Sequence, residues 1–186
     1  LGDVYKRQVD NNLNIIAQYD KKKLVPFGEF LPLEKLMNKL GMKKITPGYT
    51  SFSTGKRNSL LQFQFNTNEI KILPLICYEV IFPNFVRNSI SNNTNLLVNI
   101  SNDGWFGNFS GPRQHFTHAL FRSIELGIPL VRSSNKGFSG LISPIGEILN
   151  VTNISKTTYL DVKIPEKLET TVYREYGNLM AYFLIV

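Results

Sequence analysis

A chain of 186 residues with 42% hydrophobic and 12% aromatic residues is long enough for one domain with a substantial core, which excludes a disordered tail. The net charge of +7 favours an anionic partner, but the basic residues are scattered without an RNA- or DNA-binding motif, so nucleic acid is not expected as that partner. The single cysteine cannot form an internal disulfide, which leaves the redox compartment open.

The first residues do not look like a native N-terminus. Residues 3–8 read DVYKRQ, which matches the translation of a transposon adaptor end used in preparing sequencing libraries. We therefore expect residues 1–8 to be an artefact that contributes nothing to the native fold. The native sequence is then expected to begin near Val9, with the preceding part missing.

The first half of the chain predicts a strand, a helix, a long loop and a β-hairpin. The helical pattern stops at Gly41, and the loop is rich in Gly, Thr, Ser and Lys. The second strand of the hairpin is apolar on both faces, so we expect it inside a sheet, although Pro74 removes a donor from the ladder. The predicted elements are a strand at 13–19, a helix at 33–40, a loop at 42–57, and strands at 60–65 and 70–77 joined by a turn at 66–68.

The second half alternates helices and strands. Pro112 near the start and Gly127 at the end delimit its longest predicted helix. This alternation predicts an α/β domain whose functional residues lie at strand ends. The predicted helices are 83–92 and 111–127, and the predicted strands are 96–100, 130–132, 140–143, 148–151 and 157–163.

The most informative single position is Cys77, which ends the predicted inner strand and is followed at once by Tyr78 and Glu79. A thiol at a strand end lies at the rim of a sheet, where a nearby lysine stabilises both the thiolate and a developing oxyanion. Lys21 and the loop at 102–107 also follow predicted strands, so we expect these groups to meet on one rim. A lone cysteine, taken by itself, is usually a small buried hydrophobe, and that alternative stays open on this pattern.

Lys21 begins a run of three lysines that, taken alone, is typical of a solvated surface cluster. The run continues as LVPFGEFLP, in which Glu29 lies between Pro26 and Pro32 among aromatic residues. An acidic residue fixed in this way is not typical of a free surface loop. We therefore interpret Glu29 as a residue that orients the lysine or the substrate.

Other polar residues give weaker signals. His115 and His118 are spaced i, i+3, which permits metal binding, but no third ligand accompanies them, so we interpret both as residues of the polar face of a helix. Asn102 and Asp103 have the residue types of ordinary turn formers. The sequence predicts neither a metal site nor a cofactor.

Three strings, YDKKKLVPFGEFLP, LICYEVIFP and NISNDGWFG, resemble the core motifs of the apolipoprotein N-acyltransferases, a membrane-embedded branch of the carbon-nitrogen hydrolase (nitrilase) superfamily. VPFGE and SNDGWFG separate this branch from soluble nitrilases. The resemblance implies a four-layer α-β-β-α sandwich, of which residues 9–168 form the C-terminal part. Residues 169–186 are then a connector and the start of a truncated transmembrane helix, because the chain turns apolar from Leu179.

The resemblance also implies roles for residues at matching motif positions. Cys77 matches the nucleophile, Lys21 the catalytic lysine and Glu29 an additional acidic residue of the site. The backbone N–H of Tyr78 forms an oxyanion hole with Lys21. The family's general-base glutamate lies upstream and has no counterpart here, so we expect the chain as given to be inactive. The other matches are Tyr78 and Glu79 beside the cysteine, and Asn102, Trp105 and Phe106 in a loop that binds the substrate.

The reaction implied by the resemblance is N-acylation of lipoproteins at the bacterial inner membrane, with the catalytic domain facing the periplasm. Cys77 takes an acyl chain from a membrane phospholipid as a thioester. The N-terminal amine of an S-diacylglyceryl-cysteine apolipoprotein then accepts the chain as an amide. The expected partners are this phospholipid, this apolipoprotein and the membrane, and the expected enzyme is a monomer.

Two alternatives stay open. A soluble nitrilase-type amidase would use the same residues with water as the acceptor, and no transmembrane helices would precede Val9 in its sequence. A non-catalytic domain that binds lipid or another protein would keep Cys77 as a buried structural residue, which resists thiol modification in the folded protein.

Overall fold

The computed structural model describes residues 5–41, 53–55, 60–65, 68–107, 109–152, 154, 157–179 and 182. Within these ranges the strands form a two-stranded and a six-stranded sheet. The strands are β1 (Tyr5–Val9), β2 (Ile15–Asp20), β3 (Leu61–Phe65), β4 (Asn68–Ile76), β5 (Thr94–Asn102), β6 (Leu130–Asn135), β7 (Gly140–Ile142) and β8 (Ile148–Val151). The helices are α1 (Glu34–Lys39), α2 (Pro83–Ser89), α3 (Gly111–Leu126) and α4 (Val172–Tyr176), with short 3₁₀ helices at Cys77–Ile81 and Asp103–Phe106.

The larger sheet is mixed, with strand order β3-β4-β5-β6-β7-β8. The pairs β4–β5 and β5–β6 are parallel, and the other neighbours are antiparallel. Because β4 and β5 run side by side in the same direction, their carboxyl ends meet at one edge of the sheet. The predicted α/β fold is confirmed, and the chain turns that follow these two strands carry the candidate site.

Opposite faces of β4 pack against different layers. Leu75 joins a core cluster with Phe116 of α3, whereas Ile76 packs against Tyr19 of β2. Because successive side chains of a strand point to opposite faces, the large sheet lies between the helices and the two-stranded sheet. Each fully buried Leu or Ile in these layers contributes about 1.5–3 kcal/mol through burial of its apolar surface.

Pro74 is buried inside β4, at the position that conflicts with a central strand. Among the described residues, the β3–β4 ladder ends at Leu61 and Ile72, whereas the β4–β5 ladder continues to Ile76. Pro74 therefore lies where the described ladder continues on the β5 side of the strand. This placement accommodates proline, which has no N–H to donate, because only one side of the strand has a described ladder at this position.

The predicted strand at 157–163 is wrong. The structure describes these residues as irregular chain, and nearly all of them are exposed, including Tyr159 and Leu160. Their alternating pattern lacks the buried face and the ladder partner that stabilise a strand.

Helix α4 was not predicted from the sequence. The Thr171 side chain accepts a hydrogen bond of 3.0 Å from the Arg174 backbone N–H and so caps its first turn. The Arg87 side chain donates to the carbonyl oxygens of Tyr173 and Arg174 at 3.0 and 2.9 Å. One cap and one long-range arginine thus hold this short polar helix.

Several predicted features lie wholly or partly outside the described residues. They are the loop at 42–57, apart from residues 53–55, the turn at 66–67, and most of the terminal apolar segment from Leu179. No helix among the described residues is long and apolar enough to cross a membrane. Strand β1 includes part of the predicted adaptor artefact, and that assignment stays a prediction.

Candidate active site

Cys77 lies at a sharp turn between the carboxyl end of β4 and the 3₁₀ helix Cys77–Ile81. Its φ is +51°, in the left-handed region that costs a residue other than glycine roughly 1–2 kcal/mol. The residue is 7% exposed, and Ser101 Oγ of β5 lies 3.5 Å from its Sγ. The nucleophile predicted from the sequence is thus held at a strand end in an unfavourable backbone conformation.

Lys21 follows β2 and is buried, and its partner Glu29 is partly buried. Its Nζ lies 2.5 Å from Glu29 Oε1, and Glu29 Oε2 accepts a hydrogen bond of 2.9 Å from the Val25 backbone N–H. A buried ammonium is costly without a partner, so this carboxylate fixes both the charge and the direction of the lysine. The structure therefore brings together the two residues that the sequence singled out in YDKKKLVPFGEF.

Glu79 connects the lysine segment to the cysteine turn. Its buried carboxylate accepts hydrogen bonds from the Tyr19 hydroxyl at 3.0 Å to each oxygen. It also accepts from the backbone N–H groups of Lys22 (2.7 Å), Lys23 (3.1 Å) and Ile76 (2.7 Å). These donors flank Lys21 and Cys77 in the sequence, so one side chain sets the distance between the two segments.

Burial shifts the pKa values of Glu79 and of its partner Tyr19. Burial raises the pKa of Glu79 above its ordinary value, although the N–H groups of Ile76, Lys23 and Lys22 and the Tyr19 hydroxyl oppose that shift. Burial and the neighbouring Glu79 raise the pKa of Tyr19 far above its ordinary value. The Tyr19 phenol therefore stays protonated and donates a hydrogen bond to the Glu79 carboxylate.

A second buried group lies beneath the cysteine turn and consists of Asn99, Asp103, His115 and Arg132. Arg132 Nη2 donates to the two Asp103 carboxylate oxygens at 2.9 and 2.8 Å, and Arg132 Nη1 donates to Asn99 Oδ1. His115 Nδ1 lies 2.9 Å from Asp103 Oδ1. His115 Nε2 and Asn99 Nδ2 approach the Cys77 carbonyl oxygen at 3.2 and 3.3 Å. We call these four residues the buried network.

Asp103 carries the negative charge of this network. Burial opposes its ionisation, but hydrogen bonds from His115, Ser101 and Arg132 and the charge of Arg132 outweigh burial and hold the pKa of Asp103 well below its usual range. The carboxylate therefore balances the buried guanidinium throughout the neutral range.

Asp103→Asn is expected to lower the free energy of unfolding at pH 7 by about 3 kcal/mol, because it leaves the Arg132 charge without its partner. A depressed folded-state pKa makes the carboxylate's contribution complete above the ordinary value of 3.8 and removes it as the pH falls further. Urea unfolding between pH 2.5 and 7 should show that the variant loses less stability below about pH 4 than the parent protein. The exposed Glu147→Gln variant is the control and should follow the parent curve; an Asp103→Asn curve that coincides with it would contradict the assignment.

The three residues of the predicted substrate loop, Asn102, Trp105 and Phe106, have different environments. The Phe106 ring packs against the rings of Tyr78 and His115, with centroids 6.1 and 5.5 Å apart. Trp105 is 61% exposed. The Asn102 side chain accepts a hydrogen bond of 3.1 Å from Gly104 N and caps the 3₁₀ helix Asp103–Phe106.

A groove of about 890 Å³ opens beside this loop. Its lining includes the apolar residues Phe109 and Phe138 and the cations Arg113 and Lys136. Such a lining suits a ligand with a hydrocarbon part and an anionic part. No group of three or more His, Cys, Asp or Glu side chains in the described ranges is arranged to hold a metal ion.

The interpretation of His115 as a residue of the polar helix face is wrong, because it is 2% exposed and turned toward the buried network; His118 on the same helix is exposed, as expected. Asn99 and Arg132 were not singled out from the sequence. The available signal was a polar side chain inside an apolar strand, as in LLVNI and PLVRS. Buried polar groups need partners, so two such residues on neighbouring strands predict a network between them.

Comparison with known proteins gives a family for this arrangement. The family model described as carbon-nitrogen hydrolase matches residues 5–173. The chain is similar to the apolipoprotein N-acyltransferase of Rickettsia prowazekii, with 40% identity over 181 residues, which is 96% of this chain and 35% of the relative. It is 41% identical over 178 residues to the apolipoprotein N-acyltransferase of Rhodopseudomonas palustris, covering 95% and 32%. The chain thus spans about a third of the length of the curated relatives it matches.

Solved structures of an amidase from Nesterenkonia sp. share the fold. One matches 98% of this chain and 60% of the amidase chain, with a TM-score of 0.53 and 18% identity. A mutant of that amidase in complex with butyramide matches 81% of this chain and 51% of the amidase chain, with a TM-score of 0.51 and 19% identity. At this identity the likeness concerns the fold alone.

Proposed function

Because this chain belongs to the carbon-nitrogen hydrolase family, we propose that it carries most of the active site of an apolipoprotein N-acyltransferase, with Cys77 as the nucleophile. The identity of about 40% to two such enzymes supports this function over a generic hydrolase. The observation that carries it is the Glu79 clamp, which ties the segment of the Lys21–Glu29 pair to the turn of Cys77. We assign residues 9–168 to the catalytic domain and residues 169–186 to a connector and the start of a membrane helix.

In the first half-reaction the Cys77 thiolate attacks the ester carbonyl of a membrane phospholipid. A C–S bond forms, and the carbonyl electrons move to an oxygen that accepts from the Tyr78 N–H and from Lys21. Collapse of this intermediate breaks the ester C–O bond and releases a lysophospholipid, whose oxygen takes a proton from the general acid. The acyl chain is then a thioester on Cys77.

In the second half-reaction the amine of an S-diacylglyceryl-cysteine apolipoprotein attacks that thioester. The amine loses a proton to the general base, an amide bond forms, and the Cys77 thiolate leaves. We assign the acid and base roles to one glutamate upstream of Val9. Glu29 pairs with Lys21 and is therefore reserved for orienting the ammonium group.

A lipid donor is supported by the surface beside the site. Trp105 is exposed and directly follows Gly104, which lines the groove together with apolar residues and with Arg113 and Lys136. A net charge of +7 also favours an anionic membrane surface, where each basic residue near the lipid contributes about 1 kcal/mol. We propose that the enzyme acts as a monomer at the bacterial inner membrane, with this domain on the periplasmic side.

The proposal is tested by mass spectrometry of a full-length protein that contains this chain, incubated with phospholipid vesicles. We expect one acyl mass on the protein, and its transfer to the α-amine of an added diacylglyceryl-cysteine peptide. The 186-residue chain alone should acquire no acyl mass, since it lacks the upstream base.

A soluble amidase would give the opposite pattern. It would release ammonia from short amides and would take no acyl chain from phospholipid. N-acylation of the peptide by the 186-residue chain alone would contradict the assignment of the base.

A further inference from the structure

The carbonyl oxygen of the nucleophile is held by two side chains that the proposed reaction does not use. His115 Nε2 lies 3.2 Å from the Cys77 oxygen, and Asn99 Nδ2 lies 3.3 Å from it. A carbonyl oxygen only accepts, so His115 Nε2 and Asn99 Nδ2 act as donors in these contacts, while His115 Nδ1 makes the separate contact with Asp103. Two donors on one backbone oxygen at a catalytic turn require a physical explanation.

Both donors are themselves fixed by the rest of the buried network. Arg132 on β6 donates to Asn99 on β5 and to Asp103 at the end of β5, and Asp103 faces His115 Nδ1 on α3. Each of these residues is at most 2% exposed. Three elements therefore hold the two donors, so neither can follow the carbonyl if the turn relaxes.

The two hydrogen bonds offset the strain at Cys77. The left-handed φ of +51° is unfavourable for a residue other than glycine, and two buried hydrogen bonds to the carbonyl oxygen stabilise it. Without the donors, we expect residue 77 to rotate toward an ordinary backbone conformation.

That rotation would change more than the carbonyl. The Cys77 C=O and the Tyr78 N–H belong to one planar trans peptide unit and point in opposite directions. Holding the oxygen therefore fixes the direction of the Tyr78 N–H, which is the oxyanion donor of the proposed reaction.

We propose that His115 and Asn99 are positioning residues that orient the Tyr78 N–H toward the developing oxyanion by gripping the Cys77 carbonyl. The proposal rests on the proposed function only in the role given to Tyr78. Asp103 and Arg132 act one step behind them, because they fix the donors and do not touch the turn's carbonyl.

The test uses a matched pair of substitutions at residue 115. Gln places its amide nitrogen near the position of Nε2, so His115→Gln keeps a donor for the Cys77 carbonyl. Asn places its nitrogen near Nδ1, so His115→Asn keeps the contact with Asp103 and loses that donor. The exposed His118→Asn variant on the same helix is the control for general effects.

The first readout needs no substrate. Cys77 is the only cysteine, so [1-¹³C]cysteine labels a single carbonyl in this chain. We expect its NMR signal to shift upfield in His115→Asn and to stay close to the parent position in His115→Gln and His118→Asn. An unshifted signal in a folded His115→Asn variant would overturn the proposal.

The second readout is the rate of thioester formation in a full-length protein. A misdirected oxyanion donor should lower the acylation rate constant about 10- to 100-fold in His115→Asn, with KM for phospholipid unchanged, whereas His115→Gln should stay within about threefold of the parent. Equal losses in both variants, matched by equal falls in Tm, would mean that His115 is only structural. If His115→Asn fails to fold, Asn99→Asp makes the same test, since it keeps the oxygen facing Arg132 and removes the donor.

The two proposals can fail separately. If the parent protein takes no acyl chain from phospholipid, the proposed function is wrong. The carbon-13 signal still decides whether His115 holds the carbonyl.

Discussion

Replacing Cys77 with alanine is expected to abolish acyl-enzyme formation and to lower acyl transfer by roughly 10⁴-fold or more. The reason is chemical, because only the thiolate forms the thioester. Cys77 is 7% exposed, and alanine removes only its sulfur atom. We therefore expect the variant to keep the fold. The measurement is intact-mass analysis of a full-length protein after incubation with phospholipid, with Tm recorded for both forms.

Two results would contradict this assignment. If the Cys77→Ala variant still gains one acyl mass, the nucleophile lies elsewhere. If iodoacetamide fails to modify Cys77 in the folded protein, the residue behaves as the buried structural cysteine of a non-catalytic domain. The Cys77→Ser variant is the closest control for shape, since its hydroxyl is a weak nucleophile at this position.

Replacing Glu79 with glutamine is expected to lower the free energy of unfolding by about 2–4 kcal/mol. The carboxylate accepts from N–H groups on both sides, from Lys22 and Lys23 at one oxygen and from Ile76 at the other. A glutamine presents its NH₂ group to one of those sides whichever way it is turned. At least one buried N–H then faces another donor, and the segments of Lys21 and Cys77 separate.

Urea unfolding and the acylation rate measure this effect together. Tyr19→Phe is the matched control, because it removes one donor and leaves the carboxylate and its backbone N–H partners in place. We expect it to cost only about 1 kcal/mol. A Glu79→Gln variant with parental stability and parental acylation would show that the clamp does not set the geometry of the site.

The parts of the fold that follow from local patterns could be predicted. The apolar run ILPLI gave the inner strand β4, and Pro112 and Gly127 delimited α3, whose Gly127 has the left-handed φ of +63° that favours glycine. Cys77 was proposed as the nucleophile because it ends that run, and Glu29 as an orienting residue because two prolines flank it, and both roles stay predictions. Each of these patterns lies within a segment of fewer than about twenty residues. Hydrophobic periodicity and helix capping can be recognised within segments of that length.

The contacts that assemble the site could not be predicted in the same way. In the sequence Glu79 is simply a polar residue close to Cys77. Its partners are mostly backbone N–H groups, which every residue except proline carries, so no residue pattern indicates them. The pairing of Arg132 with Asp103 depends on the register of β5 against β6. The prediction of a strand at 157–163 was wrong because the alternating residues have no neighbouring layer to pack against.

The order of the network along the chain has a consequence for biosynthesis. Lys21 and Cys77 leave the ribosome before Asn99, Asp103, His115 and Arg132, whose hydrogen bonds hold the turn in its left-handed form. Until β6 has been translated, Arg132 is missing, so the Asn99 and Asp103 side chains lack the guanidinium that fixes them. The network that holds the Cys77 carbonyl is therefore complete only after β6 has joined the sheet.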